Sequence, residues 1–368
     1  PREMEKVDRK RWRNVTGTGP FELDRYVQAN AQIYKKNQQY WDSTTVGNDR
    51  YSLPFVDQVV YRIIKDEATY LTALRTGQLD ILEAIRWIAV DHLKETTPEL
   101  QWNRWLATSG QFVALRVDQK PFDDLRVRRA LNLAVNQEEI VEHFYGGHAE
   151  LMAYPQHPEF GAYFESLEDM PESVKQLFSY DPEEARRLLT EAGVPEGFSF
   201  DMQVCSCSPS HMDLVPLLES YFSTVGLKAN IQPMEYASFL SAMTTKTHGP
   251  AYLLSSGHVN PMTTIRKSFV TGQTWNPSQY SDPNFDERVR ILHLTRGEDE
   301  RIQILRDLTR EILEQAPYVW LPTPYAHTAW WPWVKNYGGE LRAGAVRPWP
   351  IYARIWIDHE MKTQMGFD

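Results

Sequence analysis

The strongest constraint on this fold is a repeated alternation of strand and helix signals, and it is clearest between Phe112 and Ile140. Phe112-Val113-Ala114-Leu115 is a run of apolar, β-favouring residues and predicts a strand. Pro121 has no N–H for a ladder, so the strand ends before it. Asp123 or Asp124 then offers a carboxylate to the orphan N–H groups of a first helical turn. Val127, Ala130, Leu131 and Ala134 recur at helical spacing, while Arg126, Arg128 and Arg129 line much of the other side. The helix is expected to pack back on the strand that precedes it.

The same alternation continues down the chain. Asp181-Pro182 starts a helix that Gly193 stops. Strands are expected at Phe198–Val204, Leu227–Ile231 and Tyr252–Leu254, and helices at Leu214–Val225, from Glu235, from Asp282 and over Arg301–Gln315. Residues 112 to about 317 therefore read as one α/β domain. Upstream, Phe21–Val27 and Gln32–Asn37 alternate as a hairpin. A strand over Val56–Ile64, a helix ended by Gly77 and a strand at Leu79–Leu82 follow. This strand–helix–strand order predicts two parallel neighbours. Ligands in such sheets sit beyond the carboxyl ends of the strands, which places Ala84, Ile85, Arg86 and Trp87 near a cleft.

Composition excludes several functions. The net charge is −10, and the basic opening (Arg2, Lys6, Arg9, Lys10, Arg11, Arg13) is interrupted by Glu3, Glu5 and Asp8. It reads as a solvated helix face, and a nucleic-acid partner is not expected. No run of about 18 apolar residues is present to span a bilayer. The chain opens at Pro1 directly into charged sequence, so an N-terminal part, with any signal or anchor, is expected to be missing. The 12 Trp and 18 Tyr suit clefts as well as cores. Cys205 and Cys207 are the only cysteines. A metal site would need more ligands, and a bridge across so few strand residues is disfavoured, so both are expected as structural thiols. Gly17-Thr18-Gly19 precedes a strand, which is the wrong context for phosphate binding. No nucleophile, zinc or P-loop motif is present, and no enzyme or cofactor is expected.

Taken in order, several stretches resemble family 5 extracellular solute-binding proteins, the oligopeptide, dipeptide and nickel-binding class of ABC importers. Gly17-Thr18-Gly19-Pro20-Phe21 resembles the family's G-T-G-P-[FY], and Tyr40-Trp41 its N-x-x-Y-W. Leu74 to Ile81 resembles L-x-x-G-x-[IL]-D. Pro121 to Val135 resembles P-F-x-D-x-R-V-R-x-A-[LI]-x-x-A-[IV], and Tyr180 to Gly193 resembles Y-[DN]-P-x-x-A-[KR]-x-L-L-x-E-A-G. Tyr280 to Asp286 and Ala316 to Leu321 resemble Y-x-[DN]-P-x-[FY]-D and A-P-x-[IVW]-x-L. The matches run from Gly17 to Val334.

The resemblance implies a class II periplasmic-binding-protein-like α/β fold, two lobes joined by hinge strands, with the ligand held between the lobes and stabilising closure. Residues 1–111 would be the later part of lobe I, 112–317 lobe II, and 318–368 the return to lobe I, with hinge strands near Phe112–Leu115 and Tyr318–Leu321. It further implies a periplasmic or extracellular component that passes a peptide or peptide-like solute to ABC permease subunits, touching the membrane only through them or through a missing anchor. An oligosaccharide-binding member or a sensor feeding a receptor remains open at this point. In peptide-binding relatives a W-x-x-D-x-x-D-P-like stretch carries an Asp for the peptide ammonium. Here Ser255 to Pro261 matches it, with Asn260 near the Asp position, and a neutral amide forgoes that charge-assisted bond. Glu235-Tyr236 matches E-W-x-x-[YF] with Tyr for Trp. The expected cleft residues are Arg86, Trp87, Tyr236, His258, Asn260, Arg266 and Trp275.

Overall fold

The computed structural model describes residues 17–257, 260–341 and 348–367. The basic opening and His258 lie outside these described residues. The chain divides into two compact units, Pro1–Trp105 with Ala326–Asp368, and Leu106–Tyr325.

The first unit begins with the hairpin β1 (Phe21–Val27) and β2 (Ala31–Lys36), which β3 (Gln58–Arg62) extends by pairing antiparallel to β2. Helix α1 (Glu67–Arg75) follows, capped by the Asp66 carboxylate on Thr69 N–H at 2.8 Å. Next come β4 (Ile81–Arg86), α2 (Trp87–Thr96) and β5 (Gln101–Leu106). The expected parallel pairing of the strands flanking α1 is not observed. Instead β3 stays in the hairpin sheet, and β4 pairs antiparallel with a strand formed by Thr323–Trp330, far along the chain. A partner more than two hundred residues away leaves no mark in local spacing.

The second unit is built on a five-stranded sheet. Its elements are β6 (Ser109–Leu115), α3 (Leu125–Ala134), α4 (Pro182–Glu191), β7 (Phe198–Cys205), α5 (Pro209–Thr224), β8 (Leu227–Met234), α6 (Tyr236–Thr244), β9 (Ala251–Gly257), α7 (Pro261–Phe269), α8 (Pro283–Leu294), α9 (Glu298–Gln315) and β10 (Tyr318–Trp320). The strand order is β8-β7-β9-β6-β10. The first three strands are mutually parallel, while β6 runs antiparallel to both β9 and β10. Pro233 sits in β8, an edge strand, where its missing donor costs no ladder bond.

Both strands expected at a hinge, Phe112–Leu115 and Tyr318–Leu321, belong to this sheet, with Tyr318 opposite Ala114. The chain instead passes between units at Trp105/Leu106 and at Tyr325/Ala326. The unit's core gathers Phe112, Tyr154 and Tyr318 with the α9 stripe Leu305, Leu308, Ile312 and Leu313. The Phe112 and Tyr318 rings stack 4.0 Å apart.

In α3, Asp124 is the cap, accepting from Arg126 N–H at 2.8 Å. Arg128, expected on the outer side, is buried. Its guanidinium donates to the carbonyls of Gln315, Phe122 and Asp123 at 2.9–3.0 Å, so a charged group is tolerated inside because its donors are used. Asn132, also buried, donates to Tyr318 O and accepts from Trp320 N–H, fastening α3 to β10.

The chain re-enters the first unit through β11 (Thr323–Trp330). There Trp331 and Trp333 stack 4.5 Å apart, and each indole N–H finds an acceptor, Leu74 O and Asp80 Oδ1, both at 2.8 Å. These tryptophans are core residues. No helix among the described residues is long and apolar enough to cross a membrane.

Candidate functional site

Parallel strands point their carboxyl ends to one edge of a sheet, and the helices that follow begin there. In the Leu106–Tyr325 unit this edge carries three junctions: β7 to α5, β8 to α6, and β9 to α7. Each is capped by a side chain. Ser208 Oγ accepts from His211 N–H at 3.4 Å, a Glu235 oxygen from Ala237 N–H at 2.7 Å, and Asn260 Oδ1 from Thr263 N–H at 2.8 Å. Pro209 and Pro261 occupy the first positions of α5 and α7, where no N–H is needed. The edge is thus a row of helix starts with polar caps.

Two sequence-predicted residues lie on this edge. Tyr236 is the first residue of α6 and is 56% exposed, which leaves its ring free to lie against a ligand. Asn260 is the α7 cap, so its amide oxygen is committed to the helix. The structure does not bring Arg266 and Trp275 to them. Arg266 lies in the last turn of α7 and is exposed, with its charge felt by His293 of α8. Trp275 lies farther on, in a turn held by the Lys246 ammonium. Nζ of Lys246 donates to Gln273 O, Thr274 O and Asn276 O at 2.8–2.9 Å. Lys246 precedes the start of β9, so this turn is at the amino edge of the sheet, opposite Asn260. The direction of α7 separates residues that lie close in sequence.

Sequence reasoning missed other groups on the carboxyl edge. Cys205 and Cys207 are joined in a disulfide, with Cα atoms 5.1 Å apart. The expectation of two thiols assumed a continuing strand, but β7 ends at Cys205 and the chain turns, which brings the second cysteine into bonding range. His211 is buried behind this loop, with Nε2 3.0 Å from Ser255 Oγ, and burial pushes its pKa down to about 4. Lys267 of α7 donates to Gly257 O, the last residue of β9, and burial lowers its pKa. The S-P and N-P pairs at 208–209 and 260–261 were the available signal for two of the three helix starts.

In the other unit, Arg86 ends β4 and Trp87 opens α2. Arg86 is engaged by Glu67 through a forked ion pair, with Nε donating to Oε1 at 2.9 Å and Nη2 to Oε2. Burial and the Glu67 carboxylate push the Tyr70 hydroxyl up to about 12.

A cavity of about 910 Å³ opens elsewhere in the Leu106–Tyr325 unit, and none of the expected contact residues lines it. Among the described residues, no group of three or more His, Cys, Asp or Glu side chains is placed to hold a metal ion.

Comparison with known proteins agrees with this architecture. The chain is 28% identical over 322 residues to di/tripeptide-binding protein 1 of Pseudomonas aeruginosa, covering 85% of this chain and 56% of the relative. It is 25% identical over 320 residues to heme-binding protein A of Haemophilus influenzae, covering 85% of this chain and 54% of that protein. The chain therefore spans little more than half the length of these curated relatives. Among solved structures it matches the ABC transporter-associated periplasmic binding protein DppA of Helicobacter pylori in complex with the peptide STSA. The TM-score is 0.78 at 22% identity, covering 93% of this chain and 63% of that one. A family model matches residues 2–277. The chain belongs to the bacterial extracellular solute-binding proteins, family 5 Middle.

Proposed function

We propose that the chain is part of the substrate-binding component of an ABC importer. In this reading it captures a peptide or peptide-like solute in the periplasm or outside the cell and delivers it to membrane permease subunits, with no catalytic step of its own. The Leu106–Tyr325 unit acts as lobe II and the other unit as lobe I. The observation that carries the reading is the row of three capped helix starts on one edge of the lobe II sheet. Such an edge offers a solute backbone N–H groups and polar caps, with Tyr236 as an aromatic surface. Family membership and the relative named for di- and tripeptides point to the same solute class.

Within lobe II the contact residues are Tyr236, His258 and Asn260. Arg86 and Trp87 are the candidates of lobe I. Trp275 is left out because its turn is held by Lys246 at the amino edge of the sheet, and Arg266 because its side chain is exposed beside His293 of α8.

Native mass spectrometry of the purified protein tests the class, by the mass of any solute carried through purification. Calorimetric titration with di- and tripeptides then tests the placement. Tyr236→Ala is expected to weaken peptide binding about tenfold, the loss of one well-placed contact of roughly 1.4 kcal/mol, with an unchanged melting temperature. Failure of every peptide to bind would overturn the solute class. Unchanged affinity in Tyr236→Ala would overturn the site.

A further inference from the structure

A disulfide that stabilises a fold joins residues far apart, because its main effect is to remove freedom from a long loop of the unfolded chain. Cys205 and Cys207 are two residues apart, so their bridge constrains only one turn. The fold gains little from it, and its use has to be sought in its surroundings.

Those surroundings favour exchange. A thiolate that opens a disulfide needs one accessible sulfur and one sulfur able to leave with negative charge. Cys207 is exposed in the turn, while Cys205 is buried at the end of β7. Cys205 Sγ accepts a hydrogen bond from Cys207 N–H at 3.2 Å, and this donor steadies charge on the departing sulfur. Cys207 stands one residue before Ser208, the cap of the 16-residue helix α5. The partial positive charge of a helix start favours a thiolate there.

The turn also has ties other than the bridge. Ser206 donates through its N–H and its hydroxyl to Met234 O, at 2.9 and 3.0 Å. Ser208 N–H donates to Cys205 O at 3.2 Å, and Ser208 Oγ caps α5. The loop therefore keeps its anchors when the sulfur–sulfur bond opens.

We propose that the Cys205–Cys207 bridge is a thiol–disulfide exchange site that takes low-molecular-weight thiols. The small thiolate attacks Cys207 Sγ and forms a mixed disulfide there. The bond to Cys205 breaks, and Cys205 Sγ leaves with the electron pair and takes a proton from water. A second small thiolate attacks the outer sulfur of the mixed disulfide. This releases Cys207 as a thiolate and the small molecule as its own disulfide. Two thiols are oxidised and the bridge is reduced by two electrons. The site is independent of which solute the protein binds, so it stands or falls without the importer reading.

The test uses the native chain, cysteine and dithiothreitol as probes, alkylation as the quench, and mass spectrometry with peptide mapping as the readout. The bridge is expected to open under native conditions about tenfold faster than in the same chain unfolded by guanidinium, as a stabilised leaving sulfur requires. Circular dichroism and melting temperature are expected to stay unchanged after reduction. With cystine as the probe, Cys205→Ser is expected to acquire a cysteine adduct at Cys207 faster than Cys207→Ser acquires one at Cys205. A native rate equal to or below the unfolded rate, a reversed order of adduct formation, or loss of structure on reduction would each overturn the proposal.

Discussion

Arg128 shows how a single side chain can look exposed in sequence and be structural in fact. It lies among arginines on the polar side of a helical pattern, yet it is buried with three backbone carbonyls as acceptors. Burial lowers its pKa, and its hydrogen bonds keep the charge tolerable. Arg128→Met fills similar volume but leaves three acceptors unpaired. It is expected to lower unfolding free energy by about 2–4 kcal/mol in urea titration. Arg128→Lys should recover little, because one ammonium cannot replace the planar fork.

His211 gives a residue-scale prediction of the opposite kind, through pH. Its ordinary pKa of 6.5 falls to about 4 in the fold through burial. The unfolded chain binds a proton near pH 6.5 and the folded chain only near 4, so stability is retained above pH 6.5 and lost as pH falls between them. The loss attributable to this ring is at most about 3 kcal/mol. His211→Gln is expected to show a shallower decline in denaturant-measured stability between pH 7 and 4.5. A profile that overlays the wild type would assign the acid sensitivity elsewhere.

Among elements, β6 is buried from Gly110 to Leu115, and its glycine shows how closely it is enclosed. A Cβ on Gly110 would come within 2.3 Å of Tyr154 Cβ, and Tyr154 is itself pinned by stacking on Phe112 and by its hydroxyl on Ser268 at 2.8 Å. Gly110→Ala is expected to cost about 2 kcal/mol or more, since neither neighbour is free to yield. A loss below about 0.5 kcal/mol in chemical denaturation would mean that β6 shifts easily.

Elements of this kind were legible wherever a local rule decided them. Asp181 and Asp282 cap the helices expected to start at them, and Asp66 caps the helix expected to end at Gly77. The strands expected at Phe198, Leu227 and Tyr252 are observed. What failed was non-local. The partner of β4 lies in β11, and the burial of Arg128 depends on the end of α9. The candidate site divides along the same line. Tyr236 and Asn260 were expected from the family resemblance, and both fall at strand-to-helix junctions. Arg266 falls in the last turn of α7, and Trp275 in the turn that Lys246 holds.

At the scale of the whole molecule, each compact unit buries apolar side chains of its own, among them a cluster around Phe112, Tyr318 and α9 in Leu106–Tyr325 and one around Leu74, Trp331 and Trp333 in the other unit. A unit that closes its own core has the means to unfold in its own transition. The tryptophans make this testable. All but Trp275 and Trp320 fall in residues 1–105 and 326–368, so fluorescence reports chiefly on that unit. Far-UV circular dichroism weighs the Leu106–Tyr325 unit more heavily, because it holds the long helices α5, α8 and α9. Gly110→Ala sits in that unit. At about 2 kcal/mol it should lower the dichroism midpoint by about 4–8 °C while the fluorescence midpoint stays in place. If both midpoints fall together, the two compact units unfold as one cooperative body.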